Sequence, residues 1–207
     1  GMKAMLFAAG LGTRLKPFTE KHPKALAPVN GKPLLQRNIE YLKKFGIDEF
    51  IINVHHFADQ IEIFLQEHDN FGVHITLSHE VGEPLETGGG LLKASWLLAS
   101  QPLPFLVMNA DILTDLNLGN MLNYHNQHKP LATLAVTNRK SSRNFLFNDN
   151  MILCGWINNS TGETKMARPS EKNLQPGAFT CVHIIDPAIF PLIKQEGKFS
   201  IIDTYLD

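Results

Sequence analysis

The amino-acid sequence predicts an α/β protein: a mostly parallel sheet flanked by helices, with a second half rich in β-hairpins. Three observations carry this reading. Over residues 1–130 short apolar runs alternate with amphipathic stretches, the pattern of βα units feeding a parallel sheet. The first apolar run leads straight into a glycine-rich segment, Gly10-Leu11-Gly12. After Pro130 the alternation gives way to polar segments and turn signals, as expected of hairpins.

Strands are expected at Ala4–Ala8, Phe50–Val54, Val73–Ser78, Phe105–Asn109 and Ala132–Val136. Between them fall helices at Leu34–Phe45, Ala58–Glu67, Gly90–Ala99 and Leu118–His128. In the first helix Leu34, Leu35, Ile39, Leu42 and Phe45 sit at helical spacing and form one stripe for burial. Past Pro130, residues 138–143 are polar, while Asn148-Asp149-Asn150 and residues 158–163 read as turns. A further strand is expected at Phe179–Ile185, then Asp186-Pro187 and a short helix through Ile193. The chain ends at Asp207 in another helical segment, and it carries no internal repeat or low-complexity tract.

With 207 residues, 43% of them hydrophobic, the chain can bury one sizeable core, so a single domain over 1–207 is expected. A formal net charge of -1 provides no global positive field to draw it onto nucleic acid or anionic lipid. A compact charged metabolite is the better partner. The opening run Met2–Ala9 breaks at Gly10 before basic and proline residues, so it reads as a strand and not a signal peptide, and Gly1 as the remnant of a tag. No apolar stretch reaches the roughly 18 to 20 residues of a membrane span. A cytoplasmic setting is expected, with Cys154 and Cys181 as reduced thiols.

The chemistry concentrates at the strand ends. In Ala8-Ala9-Gly10-Leu11-Gly12-Thr13-Arg14-Leu15-Lys16-Pro17-Phe18-Thr19 the glycines let consecutive backbone N–H groups converge on phosphate oxygens. Arg14 adds a planar fork of donors suited to the same guest. The segment lacks the third glycine of the dinucleotide fingerprint and the Gly-Lys-Ser/Thr of a P-loop. About ten residues on, Pro23-Lys24-Ala25-Leu26-Ala27-Pro28-Val29 holds a lysine between prolines that restrict its backbone, a positioned counter-charge. Phe105–Asn109 leads through Ala110 to Asp111, a carboxylate at the edge where open α/β sheets bind ligands. His55-His56 lacks further ligands at metal spacing and reads as polar loop, and no serine, histidine and carboxylate set suggests nucleophilic catalysis.

With these segments in hand, the chain resembles the sugar-1-phosphate nucleotidyltransferase family over nearly its whole length. The family's AAGxGTRLxPxT loop, its PKxLxPV segment and the helix start Gly31-Lys32-Pro33-Leu34 follow one another in order. The resemblance implies a Rossmann-like nucleotidyltransferase fold, with a nucleotide-binding half over 1–130 and a sugar-binding half over 131–207. It implies that Ala8, Ala9, Gly10, Gly12, Thr13, Arg14, Lys24 and Asn109 contact the nucleotide. Glu83-Pro84-Leu85-Glu86-Thr87-Gly88-Gly89-Gly90 matches the base-binding segment, so Thr87 and Gly88 are expected to line the base or ribose pocket and Glu80 or Glu86 to accept from a base N–H. Asp111 matches the family's Mg²⁺ ligand, and magnesium favours one or two carboxylates beside phosphate oxygens and water.

Further on, Lys165-Met166-Ala167-Arg168-Pro169 resembles the sugar-phosphate segment, with Arg168 where lysine is common. Ala178–Val182 resembles the sugar-contacting strand, with Thr180 as a contact and Cys181 where glycine often sits. The implied reaction joins a nucleoside triphosphate to a sugar 1-phosphate, releasing pyrophosphate, with Arg14, Lys24 and Asp111 as its catalytic residues. The base-binding run looks most like enzymes making UDP-N-acetylmuramic acid in cell-wall recycling or like mannose-1-phosphate guanylyltransferases. A phosphocholine-type cytidylyltransferase and a catalytically silent nucleotide sensor stay open, as does the oligomeric state. Family members also carry a second metal-binding aspartate in a Trp-x-Asp-Val-Gly-Thr-like segment. The chain ends ahead of one and reads as shortened at its C-terminus; Asp203 and Asp207 do not match it.

Overall fold

A computed structural model gives the architecture. It describes residues 2–10, 16–111, 116–137, 143–147, 153–158, 164–166 and 175–207, and within 136–181 the strands by their backbone alone. In chain order the elements are β1 (Lys3–Phe7), a small ribbon of β2 (Pro28–Val29) and β3 (Lys32–Pro33), α1 (Leu34–Lys43), β4 (Glu49–Val54), α2 (Ala58–Glu67), β5 (His74–His79), α3 (Glu86–Lys93), α4 (Ser95–Leu98) and β6 (Phe105–Asn109). There follow α5 (Leu118–His128), β7 (Ala132–Thr137), β8 (Arg143–Phe147), β9 (Leu153–Asn158), β10 (Thr164–Met166), β11 (Gln175–Ile185), a 3-10 segment (Pro187–Leu192) and α6 (Ile201–Tyr205).

The main sheet runs β10-β9-β8-β11-β6-β1-β4-β5, with β7 also paired to β11. Strands β5, β4, β1 and β6 are mutually parallel, with Leu6 opposite Ile52 on one side and Met108 on the other. From β6 outward the pairings turn antiparallel, and β11 joins the two regimes by setting Val182 against Met108 and Gln175 against Phe147. The α/β class and the hairpin-rich second half expected from the sequence are both present.

Side-chain alternation sorts the core into two layers. Ala4 and Leu6, Phe50 and Ile52, Leu106 and Met108 face α1, α2 and α5, where Leu35, Ile39, Leu42, Ile61, Leu65 and Leu118 meet them. Met5, Ile51, Phe105 and Val107 face the opposite layer, with Leu91 of α3, Leu98 of α4, Ile189 and Ile201. A strand apolar at successive positions therefore buries both faces.

Two of the expected helices are bounded differently. The helix expected over Leu34–Phe45 ends at Lys43, because the chain turns through Gly46 at φ +84°. Phe45 consequently leaves the buried stripe, is 40% exposed, and rests edge-on against Tyr41. The helix expected over Gly90–Ala99 begins at Glu86 and breaks at Ala94 into α3 and α4. The cap of α5 is Asn117, whose side chain accepts from the Asn120 N–H at 3.0 Å.

Helix α6 is fastened to the sheet by a buried polar pair. His183 of β11 is 2% exposed, and its Nδ1 lies 2.7 Å from the Tyr205 hydroxyl. Burial pushes the His183 imidazolium down to about 3, and it pushes the Tyr205 hydroxyl above its ordinary value. An unfolded histidine takes its proton near pH 6.5, so the unfolded chain binds more protons than the folded one between about pH 6.5 and 3. Stability is therefore complete above about pH 6.5 and falls as the pH drops through that window. Urea unfolding should lose about 2 kcal/mol from this group between pH 7.5 and pH 5.0, and His183→Asn should flatten that part of the slope. A wild-type slope equal to the variant's would show that His183 is not held neutral.

Candidate active site

The sheet places one crevice where its chain order reverses. From β1 the chain crosses to β4 and β5 on one side, then returns to β6 on the other, so the carboxyl ends of β1 and β6 part at a switch point, the usual ligand crevice of open α/β sheets. A cleft of about 430 Å³ opens there. Each parallel strand contributes residues at or just beyond its carboxyl end: Ala8–Gly10 from β1, Asn53 from β4, Glu80 from β5, and Asn109 with Asp111 from β6. Lys24, Pro84, Glu86, Thr87 and Ser200 complete the wall.

Lys24 reaches the cleft because Pro23 is extended, at φ −69° and ψ 145°, and a single 3-10 turn follows over Lys24–Leu26. The next residue, Ala25, is buried in the core and anchors that turn. The Lys24 ammonium forms an ion pair with the Asp111 carboxylate, residues separated by most of the nucleotide-binding half expected from the sequence. Their side chains are 31% and 17% exposed, so the pair sits at the cleft surface and can be opened by a charged guest. Asn38 fixes the approach to Asp111. It occupies the otherwise apolar face of α1, 1% exposed, and donates to the Ala110 carbonyl at 2.8 Å, while the Ala110 N–H donates to the Phe7 carbonyl.

A polar chain ties the strand ends together. The Ala8 N–H donates to Asn53 Oδ1 at 2.7 Å, Asn53 Nδ2 donates to Glu80 Oε2 at 2.8 Å, and the Leu85 N–H donates to Glu80 Oε1 at 2.9 Å. Glu80 is 5% exposed and both its oxygens are engaged by the protein, whereas Glu86 is exposed at the mouth with φ +60°, uncommon for a residue with a side chain. Asn38 and Asn53 were not singled out in the sequence, and no spacing rule marks them. An asparagine inside an apolar stripe or at a strand end was the available signal.

The glycine run serves packing. A methyl group on Gly88 would lie 2.1 Å from the Phe199 ring, and one on Gly89 would lie 2.2 Å from the Gly197 carbonyl oxygen. The Gly88 N–H donates to the Phe199 carbonyl at 2.9 Å, and the Ile201 N–H donates to the Thr87 hydroxyl at 2.9 Å. Thus Thr87 lines the cleft and holds the start of α6, while Gly88 lies buried behind that wall. Gly12, Thr13, Arg14 and Arg168 lie outside the described residues, and Thr180 is described only as part of the β11 backbone. Among the described residues no group of three histidine, cysteine, aspartate or glutamate side chains could hold a metal by itself, and no helix is long and apolar enough to cross a membrane.

A sheet with this switch point, and a basic and an acidic side chain facing each other across it, has its crevice where open α/β sheets bind ligands. The model of the nucleotidyl transferase family matches residues 3–145, and the chain belongs to that family. It is 37% identical over 137 residues to mannose-1-phosphate guanyltransferase beta-B of Xenopus laevis, an alignment covering 66% of this chain and 38% of the relative. It is 45% identical over 116 residues to N-acetylmuramate alpha-1-phosphate uridylyltransferase of Neisseria meningitidis, covering 56% and 49%. The chain therefore spans less than half the length of these two curated relatives.

Among solved structures, HddC from Yersinia pseudotuberculosis complexed with GMP-PN superposes with a TM-score of 0.76 at 20% identity, covering 97% of this chain and 83% of that one. UDP-glucose pyrophosphorylase from Acinetobacter baumannii superposes with a TM-score of 0.75 at 18% identity, covering 99% and 81%. At these identities the likeness establishes the shared fold.

The packing of the glycine run can be tested directly. Phe199 is 6% exposed and has little room to swing, so Gly88→Ala should cost about 1–3 kcal/mol of stability through overpacking. Urea unfolding of the variant measures it. An unchanged midpoint would mean that residues 197–201 dock more loosely than the contacts indicate.

Proposed function

We propose that this chain carries the catalytic site of a sugar-1-phosphate nucleotidyltransferase, and that it acts as one domain with its nucleotide half over 1–130 and its sugar half over 131–207. The observation that carries the reading is the Lys24–Asp111 ion pair, set across the switch point from the Ala8–Gly10 backbone in one cleft. A phosphate oxygen of the sugar 1-phosphate attacks the α-phosphorus of the nucleoside triphosphate. The new P–O bond forms as the bond from the α-phosphorus to the bridging oxygen breaks, and pyrophosphate leaves with that electron pair. The nucleophile is already anionic, so the protein's work is to align two polyanions and neutralise their repulsion.

In this reading the Gly10–Thr13 loop and Arg14 hold the triphosphate, and Lys24 neutralises charge on the α-phosphate. Asn109 and Glu86 lie beside the bound nucleotide, and Arg168 and Thr180 take the sugar phosphate. Asp111, one carboxylate at a cleft surface, would be the residue to hold Mg²⁺, an ion that favours one or two carboxylates beside phosphate oxygens and water. When bound, the ion supplies further positive charge at the phosphates.

For the particular substrates we infer UTP and N-acetylmuramic acid 1-phosphate, a reaction of cell-wall recycling in the cytoplasm, where nucleoside triphosphates are made. The support is the 45% identity to the Neisseria meningitidis uridylyltransferase. The longer alignment, 137 residues, to the mannose-1-phosphate guanyltransferase favours GTP and mannose 1-phosphate as the second reading.

Pyrophosphate release measured over a matrix of the four nucleoside triphosphates against N-acetylmuramic acid, mannose and glucose 1-phosphates separates these readings. Maximal turnover should fall on the UTP and N-acetylmuramic acid 1-phosphate pair. Nucleotide binding without turnover anywhere in the matrix would instead mark a silent sensor. Within the active pair, Lys24→Ala should lower kcat by about 2 to 4 kcal/mol of transition-state stabilisation, on the order of 30- to 1,000-fold, with little loss of folding stability. Near-normal turnover in the folded variant would remove Lys24 from the mechanism.

A further inference from the structure

The Ala8–Asn53–Glu80–Leu85 chain has a fixed polarity. The Ala8 N–H can only donate, so the Asn53 oxygen must face it, and the Asn53 amide nitrogen must then face Glu80. The Leu85 N–H also only donates. Glu80 is thus required to accept on both oxygens, which an ionised carboxylate does and a glutamine does not. The two side chains are 2% and 5% exposed, so a mismatched partner finds no compensating water at low cost.

The four groups belong to different walls of the cleft. Ala8 follows β1, Asn53 lies in β4, Glu80 follows β5 and donates its N–H to the Val54 carbonyl at 2.9 Å, and Leu85 precedes α3. Gly90 closes the network from above. A methyl group there would lie 3.1 Å from Glu80 Oε2, 3.2 Å from Asn53 Nδ2 and 2.8 Å from the Phe7 ring. The missing side chain leaves room for the network and no more.

We propose that Asn53 and Glu80 are positioning residues that set the width of the nucleotide cleft, by holding the phosphate-side turn at Ala8 and the opposite wall at Pro84–Thr87 in fixed register. Glu80 acts through the Leu85 backbone and not by reading the base itself. The inference rests on the nucleotidyltransferase reading. It has a specific consequence, because the polarity of the network can be reversed. In the double variant Asn53→Asp with Glu80→Gln, residue 53 accepts from the Ala8 N–H and from the new amide, whose oxygen accepts from Leu85. All three hydrogen bonds return with the same total charge.

The experiment compares wild type, Asn53→Asp, Glu80→Gln and the double variant, each measured for urea stability, KM and kcat with every nucleoside triphosphate of the matrix. Each single variant should raise KM for the preferred nucleotide on the order of tenfold or more, and should narrow its preference over the other bases, with the loss carried by KM more than kcat. The double variant should recover most of both. If Glu80 contacted the base directly, the double variant would stay as poor as Glu80→Gln, and the proposal would fall. It would fall equally if the folded single variants kept the wild-type KM. Should either single variant fail to fold, Gly90→Ala crowds the same network without removing a hydrogen bond, and an unchanged KM there is the overturning result. A wild type that turns over no pair of the matrix sinks the functional reading instead; binding constants for UTP and GTP from calorimetry on the same four proteins then test the positioning role alone.

Discussion

Burial of the central strand on both faces is the constraint on which the rest of the molecule depends. Ala4, Met5 and Leu6 of β1 have no exposed surface, so each face needs its own covering layer. The α1, α2 and α5 layer covers one, and the layer of α3, α4 and α6 covers the other. Two layers require crossovers on both sides of β1, and crossovers on both sides produce the switch point at which the strand ends part. The cleft is a geometric product of how an apolar strand is hidden.

Inside this apolar frame three of the buried polar side chains lead to the cleft. Asn38, Asn53 and Glu80 are each almost fully buried, and each is hydrogen-bonded to a segment that lines the site or to the residue before it. Burying such groups unpaired would cost several kcal/mol, so their satisfied state restricts the loops to one arrangement. A loop at a strand end would otherwise have considerable freedom. The frame supplies stability and the polar contacts supply registration.

Residues 197–207 take part in the cleft and its support. Residues 197–201 run against the glycine run of α3, Ser200 reaches the cleft wall, and Tyr205 meets His183 of β11. Strand β11 is also hydrogen-bonded to β6, whose end presents Asn109 and Asp111. Backbone pairing therefore connects the antiparallel part of the sheet to both walls of the cleft. The Phe199 ring against Gly88 and the Gly197 carbonyl against Gly89 leave no room for side chains there, which is why a stretch of poor helix formers sits inside a helix.

Much of the fold was legible in the sequence, for physical reasons that are local. Ala58–Glu67, Leu118–His128 and Phe105–Asn109 carry their own periodicity, and their ends coincide with the expected ones. The segments Ala8–Gly10, Pro23–Lys24 and Asp111 were visible because glycine, proline and a carboxylate at a strand end each leave a mark on the chain itself. What the sequence did not contain was distance. The pairing of Lys24 with Asp111 and the span from Ala8 through Asn53 and Glu80 to Leu85 join residues remote along the chain. The true start of α3 was hidden for the same reason. Glycine's intrinsic preference argues against a helix start ahead of Gly90, and the packing of Gly197 and Phe199 against Gly88 and Gly89 is a contact between distant segments. By itself, then, the sequence determined the period of each element and the chemical types at the strand ends. The tertiary structure decided which of those groups meet, because contact between distant residues depends on how the sheet is ordered and covered, and no local pattern encodes that.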